Sequence, residues 1–377
     1  MVKLIRAATV PTSLATFLEG NLEELQKCFD LVLLSSPGEE LAALHAQHGI
    51  RTIAVPMERG ISPLRDAVAL LRLWRLFCRE RPHMVHSMTP KAGLLCMAAA
   101  FLARVPRRVH SFTGLVWPTA RGLRRRLLML TDWITCACAT HILPEGRGVM
   151  HDLQTHITRK PMRVLGYGNV RGVDLRYFCP ANAPAELVQK QRRDDCVTFL
   201  FVGRLVGDKG LRELLAAFRR LQEQHPEARL VLVGHPEPEQ DPLDAVTRRA
   251  LATTPRVDIA GEVRGRNLLA YYAAADVLVL PSYREGFPNV VLEAGAMELP
   301  CIVTDVNGSR EIIEHELNGL IVPPHQVAPL HAAMERLLCD SGLRARLASR
   351  ARPAISSRFE QGFVRRCLLN FYRDILS

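Results

Sequence analysis

The chain has no uninterrupted run of the roughly 18 uncharged apolar residues that a membrane-spanning helix requires. Its most apolar stretch, LLCMAAAFLA, is cut short by Arg104. The opening MVKLIRAATV lacks the charged region, long apolar core and small-residue cleavage site of a secretory leader, so a cytoplasmic location is expected. None of the ten cysteines forms a C-x-x-C pair, and the two nearest each other, Cys136 and Cys138, have no matching histidines nearby. They read as buried, reduced thiols, with a metal site as the alternative reading and no metal ligand assigned. A Walker A loop is missing, as is any zinc-finger, helix-turn-helix or aromatic RNA-reading signature, which argues against nucleic acid as a partner.

What is present is length, 377 residues, enough for two hydrophobic cores. Charge is unevenly spread. Residues 1–180 hold 24 Lys+Arg against 13 Asp+Glu and residues 181–377 hold 25 against 25, so the whole net charge of +11 falls in the first half. Much of it sits in Arg72–Pro82, Arg104–Arg108 and Arg121–Ile134, each with Leu, Phe, Trp or Val interleaved. That mixture suits an anionic membrane surface, where each cation contributes about 1 kcal/mol. Arg121, Arg124, Arg125 and Arg126 are the expected membrane-facing residues.

Short apolar runs alternate with helical patterns along the chain. Strands are predicted at Lys3–Thr9, Leu31–Ser35, Thr52–Val55, Met84–Ser87, Arg108–Ser111, His141–Leu143 and Arg163–Leu165, with amphipathic stretches such as Leu64–Glu80 and Ala92–Ala103 between them. After a polar, pattern-free stretch from Cys179 to Asp195 the alternation restarts, at Val197–Gly203, Ala228–Gly234, Arg256–Gly261, Asp276–Pro281, Cys301–Asp305 and Gly319–Pro323, each run followed by a helix. This is the pattern of two α/β, doubly wound, Rossmann-like domains with parallel sheets, facing a cleft onto which the carboxyl ends of both sets of strands open.

The first strand of the second series runs into VGRLVGDKG. Gly203 ends it, and Arg204 and Lys209 project from the turn before a helix, so backbone N–H groups, helix dipole and two cations together suit a phosphate. Further on, REGFPNVVLEAGAMEL places Glu285 on the loop after an apolar strand and Glu293 on the following helix, with Pro288 in its first turn. Free N–H groups of Asn289, Val290 and Val291 are expected to face the anion, and Gly286 to permit close backbone approach. One turn beyond Asn289, Glu293 can accept hydrogen bonds from a vicinal diol such as a ribose. Glu285 can bind sugar hydroxyls or stabilise positive charge at a sugar carbon.

These stretches, together with AAADVLVLPSYREGFPNVVLEAGAMELPCIVTDVNGSREIIEHELNGLIVPP, resemble the donor domain of family 4 glycosyltransferases, retaining enzymes of the two-domain GT-B fold whose signature is E-x7-E. Glu285 and Glu293 match that signature. In the first half TVPTSLATFLEGNLEEL, ISPLRD, VHSMTPKAGLL and FTGLVW resemble the branch that builds capsular and O-antigen polysaccharides on lipid-linked acceptors. The resemblance implies that Arg204 and Lys209 bind the donor diphosphate, Glu293 the ribose, and Glu285 with the Gly286–Phe287 backbone the donor sugar. It places acceptor contacts at Gly20, Lys91 and Thr113. The implied domains are 1–175 for the acceptor and membrane, 196–355 for the donor, and a C-terminal helix, 356–377, packing back on the first.

The chain departs from many relatives in reading Thr113-Gly114 where they have His-Gly, and Arg171 where asparagine is usual. His86 and His110 are the nearby histidines, and beside apolar strands they read first as packed core residues. With no D-x-D motif where metal-dependent transferases place one, Arg204 and Lys209 are expected to do a metal's work on the leaving diphosphate, with no cofactor beyond the nucleotide-sugar substrate. The implied activity is a retaining transfer of a sugar, an N-acetylated hexosamine or a relative of one, from a UDP-linked donor to a lipid-diphosphate glycan on the inner face of the cytoplasmic membrane. The rival readings are a nucleotide-sugar epimerase or hydrolase of the same fold, and an inactive family member acting as a membrane assembly subunit.

Overall fold

The computed structural model describes residues 1–193, 195–237 and 241–377. The chain divides into two compact units, one of Met1–Gly172 with Gln361–Ser377 and the other of Val173–Glu360.

In the first unit β1 (Lys3–Ala7), β2 (Asp30–Ser35), β3 (Arg51–Ala54), β4 (Met84–Met88), β5 (Arg107–Phe112) and β6 (His141–Pro144) form one parallel sheet in the order β3-β2-β1-β4-β5-β6. In the second, β7 (Thr198–Val202), β8 (Arg229–Val233), β9 (Val257–Gly261), β10 (Val277–Leu280), β11 (Cys301–Thr304) and β12 (Gly319–Val322) repeat that arrangement as β12-β11-β10-β7-β8-β9. The inner strands read as unbroken apolar runs because helices cover both faces, and every residue of β7, β8, β10 and β11 is buried. Helix Leu211–Gln224 shows how a face is covered: Leu211, Leu214, Leu215, Phe218 and Leu221 recur at helical spacing and are all buried. In each sheet the order reverses once, between β1 and β4 and between β7 and β10, and the crevice at the carboxyl ends of such a pair is where ligands of these sheets bind.

Two local expectations fail. Arg163–Leu165 is not a strand; only Met162 bridges Ile142, and Arg163 N donates to Ile142 O over 3.2 Å. The segment lies between Pro161, which has no N–H to give, and Gly166, which turns at φ +57°. The stretch from Cys179 is not pattern-free, since Ala185–Gln191 is a helix, seven residues long and with Leu187 and Val188 alone among its apolar side chains half-buried, too short to show a period.

The chain's last helix, Gln361–Leu376, lies in the first unit, where Phe371 and Tyr372 are buried. Three cysteines, Cys28, Cys78 and Cys339, are exposed rather than buried. Cys96 and Cys136 are buried as expected, and burial pushes each thiol up to about 12.

Candidate active site

The segments that leave β7 and β10 meet at the point where the strand order of the second sheet reverses. After β7 come Gly203, Arg204 and a tight turn, Gly207–Lys209, that enters the helix Leu211–Gln224 through Gly210. Gly210 has φ +69°, and a Cβ there would stand 2.0 Å from Pro281 O, so glycine alone lets this turn lie on the end of β10. Three bonds tie the two exits together. Tyr283 N donates to Asp208 O over 2.8 Å, Arg284 Nη2 pairs with Asp208 Oδ2 at 2.6 Å, and Lys209 Nζ donates to Glu285 Oε1 at 2.5 Å. Lys209 and Glu285 are both largely buried. Arg204 reaches the exit of β8 instead, where its Nη1 donates to Glu237 Oε2 over 2.8 Å.

Arg204, Lys209 and Glu285 are thus gathered at one end of one sheet, each cation against a carboxylate. Asp208, Arg284 and Glu237 were missed as members of this charged group. Asp208 and Arg284 lie inside the motifs GDKG and REGFP, so spacing pointed at them, but which charge meets which depends on β7 lying beside β10.

Glu293 stands on the helix Asn289–Ala296 and is only 8% exposed. Its Oε2 accepts from the hydroxyl of Tyr272 over 2.9 Å, and Tyr272, on the helix Arg266–Ala274, is fully buried. Nothing in the sequence singled out this tyrosine. The helix start differs from expectation in two respects. Pro288 precedes the helix rather than lying in its first turn, and Val291 N–H is not free but donates to Pro288 O over 3.1 Å, because the first turn closes tightly behind the proline. Asn289 and Val290 are half-buried at this start.

At Gly286 a second glycine packs against the backbone. Gly308 has φ +73°, and a Cβ on it would stand 2.3 Å from Gly286 O and 2.7 Å from Phe287 Cα. The Phe287 ring is a core group, edge-on to Phe359 at 5.3 Å, which leaves its backbone as the part that can face a ligand.

In the first unit the expected acceptor residues lie on three different segments, with Lys91 and Thr113 following the neighbouring strands β4 and β5. Lys91 pairs with Asp66, Thr113 is half-buried in the loop after β5, and Gly20, at φ +71°, lies under Gln361 and accepts from Arg365 Nη1 over 2.8 Å. His86 and His110 are fully buried and hydrogen-bonded, as core histidines are: His86 to Tyr372 and Ser111, His110 to Ser87. Burial holds the His110 imidazole down to about 3. Arg171 Nη1 pairs with Glu19 Oε2 at 2.8 Å.

Arg121, Arg124, Arg125 and Arg126 are all exposed, and Arg125 lies over the ring of Trp117 at 5.5 Å. On the same helix, Gly122–Cys138, the apolar Leu123, Leu127, Leu130 and Trp133 are exposed at helical spacing. A second such stripe, Leu64, Val68, Leu71 and Trp74, lies on the helix Pro63–Glu80, and both helices pack against Pro90–Leu102. Among the described residues no helix is long and apolar enough to cross a membrane, and no group of three or more His, Cys, Asp or Glu could hold a metal ion.

Residues 184–353 match the family described as glycosyl transferases group 1, and residues 14–168 match the glycosyl transferase 4-like domain. The capsular polysaccharide biosynthesis glycosyltransferase CapM of Staphylococcus aureus is 30% identical over 99% of this chain and 97% of its own. A UDP-Gal:alpha-D-GlcNAc-diphosphoundecaprenol alpha-1,3-galactosyltransferase of Escherichia coli is 29% identical over 84% of this chain and 81% of its own. Among solved structures, Anabaena HepE in complex with UDP superposes with a TM-score of 0.79 at 18% identity, covering 99% of this chain and 100% of its own. A sucrose-phosphate synthase from Thermosynechococcus elongatus superposes with a TM-score of 0.80 at 19% identity, covering 99% of each chain. The repeated six-stranded sheets, the E-x7-E pair at the reversal of the second sheet and full-length similarity to CapM establish that the chain belongs to the family 4 glycosyltransferases of GT-B fold, in the branch of bacterial capsule and O-antigen biosynthesis.

Proposed function

We propose that this glycosyltransferase moves a sugar from a UDP-linked donor to a lipid-diphosphate-linked glycan, with retention of anomeric configuration and without a metal ion. The observation that carries the reading is the charged group where β7 and β10 end, with Arg204 and Lys209 each against a carboxylate and Glu293 held by Tyr272. A diphosphate brings more negative charge than one carboxylate, so it competes with Glu237 for Arg204 and with Glu285 for Lys209. The two cations then stabilise charge that builds on the diphosphate as the bond from the anomeric carbon to its phosphate oxygen breaks. Released from Lys209, Glu285 faces the positive charge that develops on the sugar. The acceptor hydroxyl attacks from the side of the departing group and gives its proton to the phosphate oxygen that leaves, so the new bond keeps the old configuration and no separate nucleophile is needed. Glu293 takes the ribose diol, and the backbone of Gly286 and Phe287 the donor sugar, an N-acetylated hexosamine or a relative of one. Val173–Glu360 is then the donor unit and Met1–Gly172 the acceptor unit.

For the second substrate, support comes from the similarity to the diphosphoundecaprenol galactosyltransferase and from the two exposed apolar stripes beside arginines. Guanidinium groups at Arg121, Arg124, Arg125 and Arg126 meet lipid phosphates while Leu123, Leu130 and Trp133 enter the interface, placing the enzyme on the inner face of the cytoplasmic membrane. Incubation with a panel of nucleotide sugars, with and without a lipid-diphosphate acceptor and with EDTA, tests the proposal. Transfer only when acceptor is present, with the product's anomeric configuration matching the donor's, is the expected result. Conversion or hydrolysis of the nucleotide sugar without acceptor identifies an epimerase or hydrolase, and no turnover of any donor identifies an assembly subunit.

A further inference from the structure

Arg6 is a buried cation without a counter-charge. It stands on β1 beside His86 of β4, is 2% exposed, and among the described residues forms no ion pair. Its Nη1 donates to the Tyr372 hydroxyl over 2.6 Å and its Nη2 to the Met88 sulfur at 3.0 Å, while its Nε–H has no partner. Leaving a buried ion uncompensated costs several kcal/mol.

The neighbouring bonds fix where the next free proton lies. Tyr372 is fully buried, and its hydroxyl has Arg6 and His86 Nδ1 as partners, the latter at 2.5 Å. Arginine can only donate, so the phenolic proton finds an acceptor only at His86 Nδ1. His86 is neutral, because burial first and the Arg6 charge second hold its imidazole well below the ordinary range. Its one proton is then on Nε2 and goes to Ser111 Oγ, 2.7 Å away. The Ser111 hydroxyl proton is left without an acceptor among the described residues. Arg6 and Ser111 both line a cavity of about 10 Å3, closed by Leu143, Leu165, Val364 and Leu368, with room for about one water-sized particle.

We propose that this cavity is a binding site for one small inorganic anion, a halide, held by Arg6 Nε–H and Ser111 O–H, with the apolar side chains around it giving way by a few tenths of an ångström to an ion larger than water. A water molecule could accept both bonds, but it brings no charge to offset that of Arg6. Asn169, which also lines the cavity, already accepts through its side-chain oxygen from Arg171 N and Gly172 N. An anion needs no acceptor and supplies the charge that Arg6 lacks. Because Val364 and Leu368 belong to the last helix, the anion also pins that helix to the first sheet.

Crystals of the full chain soaked in sodium bromide test the site directly. An anomalous peak within hydrogen-bond distance of Arg6 Nε and Ser111 Oγ is the expected result. Bromide found only on the surface, with water in the cavity, overturns the proposal. In solution the melting temperature should rise with chloride relative to gluconate at equal ionic strength, and that difference should vanish in Ser111→Ala and Arg6→Met. An equal response to chloride in wild type and Ser111→Ala refutes the site even if Arg6→Met does not fold.

Discussion

Replacing Tyr272 by Phe removes a single oxygen atom and tests whether that oxygen holds Glu293 in place. The ring should stay where it is, edge-on to Phe178 at a centroid distance of 6.4 Å and 1% exposed. No water can easily take the hydroxyl's place at so buried a position, so the carboxylate loses one charge-assisted hydrogen bond outright. Such bonds contribute about 1.5 to 3 kcal/mol, which is roughly a 10- to 150-fold change in an equilibrium constant. If Glu293 binds the ribose, part of that loss appears as weaker UDP binding, because the carboxylate must be re-oriented at each binding event. Calorimetric titration with UDP should show the dissociation constant rising about tenfold, toward that of Glu293→Ala. Turnover at saturating donor should change little. Urea unfolding of the same variant measures the remainder as lost stability. If Tyr272→Phe is destabilised yet binds UDP as the wild type does, the bond belongs to the core alone and Glu293 is not positioned by it.

Four further outcomes are expected. Glu285→Gln should mainly lower turnover and Lys209→Ala should depress it strongly, while EDTA leaves wild-type activity intact; loss with chelator that magnesium restores would contradict the assignment of the leaving-group charge to Arg204 and Lys209. Changing Arg124, Arg125 and Arg126 together to Gln should weaken co-sedimentation with anionic vesicles by up to about 3 kcal/mol, with activity on a soluble short-chain acceptor near normal; unchanged sedimentation would turn the arginines over to acceptor-glycan recognition. Burial pushes the Asp132 carboxyl up to about 7 from 3.8, so the folded state binds this proton more tightly than the unfolded chain and stability falls as pH rises through that interval. Asp132→Asn should therefore raise the melting temperature at pH 8, by a stabilisation on the order of 4 kcal/mol, and approach wild type in acid. Glu80 is the opposite case: the Arg51 guanidinium first, with Lys3, holds it down to about 2 from 4.5, so its contribution is full above 4.5 and lost as pH falls through 2. Glu80→Gln should cost about 3 kcal/mol at neutral pH in urea unfolding, a gap that narrows in acid.

The sequence reveals this fold wherever burial on both faces turns a strand into an unbroken apolar run, as in TFLFV, RLVLV and VLVL. It fails where a segment is too short to show a period, as at Ala185–Gln191, or where pairing lasts one residue, as at Met162. In the site, Arg204, Lys209, Glu285 and Glu293 are legible because each sits in a local motif with turn or helix chemistry around it. Their partners are not. Lys209 and Glu285 are 76 residues apart and meet only because β7 and β10 are neighbours in the sheet. Tyr272 lies in an ordinary-looking helix, and Arg6 and Tyr372, 366 residues apart, could be linked by no spacing rule at all.

The return of Gln361–Leu376 to the first unit has a consequence for the order in which the molecule can be made. Domains commonly fold as they emerge from the ribosome, earliest first. Here the unit begun first is finished last, since all of Val173–Glu360 must be synthesised before the helix that supplies Tyr372. Until then Arg6 and His86 lack the hydroxyl that joins them, and the apolar side chains that meet Phe371 and Tyr372 stay open to water or to a chaperone. The uninterrupted unit, Val173–Glu360, has every strand of its own sheet available earlier. A nascent chain released before its last helix is therefore left with a finished second unit joined to an unfinished first one.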